Sequence, residues 1–310
     1  MGPSDAELLE TARRAAREAA KVHTEWGGRL SPGDGDEKGQ ADFVTETDRE
    51  AERLVTRILL NRFPDHGILA EEETSDHPGR PGGIRWIVDP LDGTTNWLHG
   101  YPEFAVSIAA LDARGLRAAV VLNSATGEEF DAVRGGGARR DGKPIHVSAT
   151  AELRHALIGT GFPFKRHALL PPYLRMLDAV LRQTSGVRRG GAAALDLCHL
   201  ACGRLDAFWE LWLMPWDVAG GALILREAGG VFAPLGRRGD EEGELARALD
   251  GAAAFVGLCD GRTTQDGSAR RNAPGDPGGG RRPDGGLSGG AYVAANARLL
   301  PALTEVLRTG

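Results

Sequence analysis

The sequence predicts a mixed α/β (α+β) fold, and three observations carry that prediction. Two amphipathic helical patterns open the chain, strand-like alternation broken by glycine turns fills residues 104–148, and strand and helix patterns alternate again from residue 156. At 310 residues the chain can bury a substantial core as one large domain or two smaller ones. Residues 1–149 read as an N-terminal α+β half and 150–310 as a C-terminal α/β half that completes it.

Each element has its own signal. "MGPSDAELLETARRAAREAAKVHTEW" predicts a helix capped by Ser4 or Asp5, with Leu8, Leu9, Ala12, Ala16 and Ala19 on one stripe. It has no apolar signal-peptide core, and Ala6 stands where a myristoylation pattern needs Ser or Thr, so a cytoplasmic protein is expected. Residues 27–42 are rich in Gly and Asp and predict a loop. "FVTETDREAERLVTRILLNRF" predicts a helix over 43–63, opened by a Thr45–Asp48 capping box and stopped by Pro64. Residues 68–70 and 84–88 are short apolar runs that predict strands, the first ending in Glu71, Glu72 and Glu73.

A meander of four strands is predicted at 104–111, 116–123, 127–133 and 143–148. Beyond it come a strand at 156–161, helices at 171–183 and 192–204, a strand at 205–211, and a helix from about Asp217 to Gly229–Gly230. Residues 236–290 begin charged, pass a short apolar run, and end rich in glycine. Within them, residues 261–290 hold ten glycines and three prolines, too few apolar groups to offset ordering entropy, and predict a flexible insertion. Strand and helix resume over 291–308.

The stretch that carries chemistry is "VDPLDGTTNW" at 88–97, where a buried strand surfaces into two carboxylates, Asp89 and Asp92. Asp-Pro and Asp-Gly form turns in their own right, and Thr94 or Thr95 would cap a following helix. The same residues also suit a hard divalent cation, which takes oxygen ligands, keeps several waters and binds one or two carboxylates plus substrate phosphate. The Leu91 carbonyl lies between the two aspartates in sequence. Glu71 after one strand and Asp217 at a helix start supply further oxygens. Singly, each acidic group reads as a solvated charge or a cap. Together they reach the oxygen count of a two-metal site.

Composition narrows the classes. Three cysteines support no disulfide framework, and Cys198 and Cys202, four apart around His199, read as a core helix because further zinc ligands are not evident. A net charge of −6 disfavours nucleic-acid binding by general phosphate attraction. No run approaches the ~18 apolar residues of a membrane span.

"WIVDPLDGTTNW" with "PWDVAGGALILREAGG" resembles the inositol monophosphatase family, magnesium-dependent small-molecule phosphatases of the lithium-sensitive type. "KGQADFVTETD", "AEEE" and "GAAALDLCHLACGRLDAFWEL" fit the same pattern in the same order, over about residues 5–235 and 291–308. The resemblance implies a layered αβαβα sandwich, a homodimer, two or three Mg2+ ions and hydrolysis of a small phosphorylated polyol or sugar. It implies that Glu71, Asp89 and the Leu91 carbonyl hold one magnesium. A second would be held by Asp89, Asp92 and Asp217, and a looser third would share Glu71. Thr94, backed by Asp48, would orient the nucleophilic water, and the Gly93 and Thr94 N–H groups would receive phosphate. Asp92, Ala193 through its backbone, and Glu210 would face the alcohol of the substrate.

Three departures from the family pattern stand out: Ala70 for Gly before the glutamates, Ala192 for Ser or Thr, and the long 236–290 segment. Thr95 occupies the position where nucleotide-phosphate and histidinol-phosphate members often carry Lys. An inositol-1-phosphate-type substrate is therefore expected, ahead of fructose 1,6-bisphosphate and histidinol phosphate. A bacterial branch of the family that assists transcription through RNA polymerase and RNA offers a reading of a different class.

Overall fold

The computed structural model describes residues 2–27, 36–39, 42–44, 46–72, 77–236, 241, 243–261 and 289–310. The opening helix α1 (Asp5–Trp26) is capped by Ser4, whose hydroxyl accepts the Glu7 N–H while the Glu7 carboxylate accepts the Ser4 N–H. The expected loop over 27–42 contains a strand, because β1 (Asp36–Gly39) pairs antiparallel with β2 (Asp42–Val44). This hairpin takes the residues predicted to begin the second helix, so α2 runs Glu46–Arg62. The proposed capping partner Thr45 lies outside the described residues, as does Glu73.

Next come β3 (Gly67–Ala70), β4 (Arg85–Asp92), the one-turn helix α3 (Thr94–Leu98), β5 (Ala105–Asp112), β6 (Gly115–Asn123), β7 (Glu129–Val133), β8 (Ala138–Arg140) and β9 (Lys143–Ile145). The meander thus has five strands rather than four. The charged "ARR" of β8 carries no apolar alternation and is held by pairing to β7 and β9. Together β3–β9 form a seven-stranded sheet in sequence order, with β3 parallel to β4 and the rest antiparallel. The second sheet takes the order β11-β10-β12-β14-β13, from β10 (Leu157–Thr160), β11 (Gly186–Arg188), β12 (Ala207–Leu213), β13 (Gly230–Pro234) and β14 (Gly290–Asn296). The sequence reading did not include β11, a three-residue edge strand. Its helices are α4 (Leu170–Leu181), α5 (Ala193–Ala201), α6 (Pro215–Glu227), α7 (Gly243–Cys259) and α8 (Leu300–Thr309).

Three apolar clusters stack these elements into the αβαβα sandwich. α1 and α2 cover one face of the large sheet, where Leu8, Ala12, Val55 and Leu59 meet Trp86, Val88, Val106 and Ile108. α5 and α6 fill the space between the sheets, against Ile87, Ala105, Ala109 and Val121 on one side and Phe208 and Tyr292 on the other. α4 and α8 close the far face. Strand alternation then sets where the chemistry points. On β4, Trp86 and Val88 belong to the α1–α2 side and Ile87 to the α5–α6 side, so Asp89 shares the face of the inner helices.

One part of the predicted insertion behaves differently from its composition. Residues 243–259 form α7, whose Ala252, Phe255, Val256 and Cys259 join the inner core. Small residues alone gave no helical stripe to read, but together with these apolar positions they let the helix seat closely on β13 and β14. The glycine-rich remainder, 262–288, lies outside the described residues.

Candidate active site

The carboxylates collect where strands end and helices begin. β4 pairs with β5 from Arg85 to Asp89 and again at Asp92, and the register shifts between them because Pro90 has no N–H to give the ladder. The chain turns there, and the Asp89 Oδ1 accepts the Leu91 N–H at 3.0 Å. Gly93 follows with φ +89°, a left-handed conformation that admits glycine readily. A Cβ there would stand 2.9 Å from the Glu103 carbonyl. Gly93 is also the residue that caps α3, rather than either threonine.

Asp89 is 1% exposed and Asp92 8%. Burial pushes both carboxyls well above their ordinary range. Glu71, Asp92 and Asp217 push Asp89 further, in that order. On Asp92 the charge of Asp217 adds to burial, and N–H groups of Ala194 and Ala193 oppose it. Asp89 therefore feels all three of the other expected carboxylate ligands. Glu71 follows β3 directly. Asp217 stands in the first turn of α6, where its Oδ2 accepts the Met214 N–H at 2.7 Å. Close helix packing fixes that turn, since a Cβ on Gly220 would lie 2.6 Å from Ser107 Oγ and one on Gly221 2.6 Å from Leu197 Cβ.

Thr94 joins this group to α2. Its Oγ1 lies 3.0 Å from Asp48 Oδ1 and 3.1 Å from the Leu91 carbonyl, so its single proton serves one acceptor at a time. Asp48 sits 2% exposed in the first turn of α2. Ala193 and Ala194 open α5, and the Ala194 N–H donates to Asp92 Oδ2 at 2.8 Å. Glu210 on β12 lies tight against Gly161, where a built Cβ would approach Oε1 to 2.0 Å. Its pKa is raised by burial, then by Asp196 and Asp217, and Arg189 opposes the rise.

Glu71, Asp92 and Asp217 thus act on Asp89, and Asp217 and Glu210 on Asp92. Asp196 was not assigned from sequence. It is 3% exposed on α5, and its pKa is raised by burial and then by Asp92. A lone acid on the apolar "AALDLCHLA" helix was the signal that could have found it. Cys198 is buried on that same helix, as the core reading expected.

The donor set fits a hard divalent cation. It consists of carboxylates and one turn carbonyl, and the largest influences on Asp89 and Asp92 among the described residues are burial, other carboxylates and backbone N–H groups. Among the described residues no three acidic, His or Cys side chains are gathered tightly enough to hold an ion together. Three carboxylates, Glu71, Asp92 and Asp217, repel the charge of Asp89.

The inositol monophosphatase family profile matches residues 4–255. The chain belongs to that family. Membership makes it a phosphomonoester hydrolase. It is 45% identical to the Nus factor SuhB of Pseudomonas aeruginosa over 229 residues, 73% of this chain and 84% of that one. It is 47% identical to an inositol-1-monophosphatase of Rhizobium meliloti over 193 residues, covering 62% of this chain and 72% of that one. The crystal structure of the extragenic suppressor protein suhB from Bartonella henselae superposes with a TM-score of 0.77 at 32% identity, covering 98% of this chain and 99% of the other. Among the described residues no helix is long and apolar enough to cross a membrane.

Proposed function

We propose that this protein hydrolyses a small phosphate monoester with magnesium, inositol 1-phosphate being the preferred substrate. The observation that carries the reading is the repulsion of buried Asp89 by Glu71, Asp92 and Asp217. Glu71, Asp89 and the Leu91 carbonyl would hold one Mg2+, and Asp89, Asp92 and Asp217 a second. A third would share Glu71. When bound, the ions supply Lewis acidity to the nucleophilic water and to the leaving oxygen.

The chain's own groups do the rest. The Thr94 hydroxyl donates to Asp48, which leaves the Thr94 oxygen lone pairs free to accept a hydrogen bond from the water and orient it. The first-turn N–H groups of α3, with Gly93, have no intrahelical acceptors and suit phosphate oxygens. Asp92, the Ala193 backbone and Glu210 would face the polyol. Fructose 1,6-bisphosphate and histidinol phosphate are the alternative substrates. Two subunits would make the active form, as the family resemblance implies.

The test is phosphate release by the purified protein over these monoesters, with magnesium and with EDTA. Equal turnover in excess EDTA would sink the magnesium reading, and a preference for histidinol phosphate would overturn the substrate. A second reading, a transcription-accessory role, is favoured by the Nus factor name of the 45%-identical relative. Capture of RNA polymerase by the tagged, phosphatase-active protein would support it.

A further inference from the structure

The parallel pairing of β3 with β4 runs out at Ala70 and Val88. One step further along the same register, Glu71 comes next to Asp89, on neighbouring strands. Glu71 is accordingly the carboxylate that acts most strongly on Asp89. The next backbone donor, the Glu72 N–H, lies beyond the paired residues and needs an acceptor of its own.

Glu52 is that acceptor. It stands on α2, is 0% exposed, and its Oε2 accepts the Glu72 N–H at 2.6 Å. Burying a carboxyl is costly unless it is bonded, so a bond this short at a sealed position has a use beyond solubility. The peptide that carries the Glu72 N–H begins at the Glu71 Cα and is planar. A hold on that N–H therefore fixes the backbone from which the Glu71 side chain departs.

α2 thus reaches the site twice. Asp48 Oδ1 lies 3.0 Å from Thr94 Oγ1, in the segment that follows Asp89 and Asp92. Glu52 comes four residues after Asp48, on the same helix face, and reaches the segment that follows β3. Ala51, Val55 and Leu59 seat the helix on the large sheet. One packed helix therefore sets Thr94 and the Glu71–Glu72 peptide relative to each other.

We propose that Glu52 is a positioning residue of the active site, holding the end of β3 through the Glu72 N–H so that Glu71 stands beside Asp89 to share a cation. The inference rests on the magnesium reading, and it concerns a residue outside the ligand set. Partners behind a ligand typically change metal affinity by about 10- to 100-fold.

The experiment uses the full chain and three variants. Glu52→Leu removes the acceptor, and Glu52→Asp keeps a carboxyl but draws it back by one methylene. Glu52→Gln keeps the reach and an acceptor oxygen without the carboxyl. Two quantities are measured: the magnesium concentration that gives half of the metal-induced thermal stabilisation, and amide hydrogen exchange over 68–72 in metal-free protein. Glu52→Leu and Glu52→Asp should each raise the half-saturating magnesium about tenfold. Their Glu72 amide should exchange faster while the α2 amides over 54–62 keep their protection. Glu52→Gln should recover most of both effects, and Glu52→Asp carries the test if Glu52→Leu does not fold. The proposal is overturned if Leu and Asp match the parent in both measurements. It is equally overturned if Gln is as defective as Asp, which would make the effect one of the carboxyl or of packing rather than of the bond to Glu72. No magnesium stabilisation in the parent would defeat the metal reading, and the exchange measurement would then decide the hold on Glu72 by itself.

Discussion

Asp92 caps a helix to which it does not belong: its Oδ2 accepts the Ala194 N–H at 2.8 Å, across 102 residues of sequence. The N-cap position of α5 is Ala192, which offers no side-chain acceptor. The carboxylate expected to hold magnesium thus also satisfies a helix start, where a negative charge meets unpaired N–H groups and the positive end of the helix dipole.

The two roles separate by substitution. Asp92→Asn keeps an oxygen for the Ala194 N–H and removes the charge. Asp92→Ala removes both and loses about 1 kcal/mol of cap stabilisation relative to Asn. Phosphatase activity should fall for both variants, whereas the denaturant midpoint should be lower for Ala than for Asn. Equal stability of the two would show that the bond does not cap α5.

The shifted carboxylates give stability a pH dependence with a definite sign. Asp89 and Asp92 have folded-state pKa values well above the ordinary 3.8. Their contribution is therefore fully present below that value and is lost as pH rises through the raised folded values. Metal-free protein should lose stability from this source as its carboxylates ionise against one another. Magnesium favours the ionised forms, so the gain in Tm on adding magnesium should grow over the range in which pH rises above the ordinary carboxylate value of 3.8. A gain that is flat or shrinking over that range would contradict a site made of these groups.

Asp89 feels Glu71, Asp92 and Asp217 together, which suits a ligand shared by two ions. Asp89→Asn should therefore lose at least about tenfold more activity at saturating magnesium than Asp217→Asn. Matching rates for the two variants would remove the bridging role from Asp89.

Much of this arrangement was legible because local rules and tertiary packing agree. The Ser4 cap, the α1 stripe and the strand before Asp89 follow from patterns of four to eight residues, and the core uses them as read. β8 and β11 were not legible, because each is three residues long and is defined by its neighbours' hydrogen bonds. α7 was hidden by composition, since glycine and alanine between charged residues and a glycine-rich run look like loop. Asp48, Thr94 and Asp92 were nominated by motif, but their contacts join α2, α3 and α5 and exist only in three dimensions. Glu52 had no signal at all: a glutamate among the charged residues of an amphipathic helix reads as a surface residue, and only the fold buries it.

The segment 236–290 yields the last prediction, because α7 divides it into two parts with opposite expectations. Phe255 is fully enclosed in the inner core and meets Tyr292 edge-on at 6.3 Å. Phe255→Ala should cost about 3–5 kcal/mol, the usual range for such a cavity, and lower the Tm accordingly. The end of α7 is also anchored, with Asp260 Oδ1 2.9 Å from Arg226 Nη1. Residues 262–288 carry the glycines and prolines. Loop closure costs only about 0.6 kcal/mol per doubling of length, so a surface excursion of this size is thermodynamically tolerable. The competing role is a lid in which Arg270, Arg271, Arg281 and Arg282 meet the substrate phosphate. Replacing 262–288 by a Gly-Ser linker should leave Tm and kcat/KM within about twofold of the parent, as for an insertion outside the site. A fall of about tenfold or more in kcat/KM at unchanged Tm would establish the lid, because losing four positive charges near a dianion acts on substrate and not on the fold.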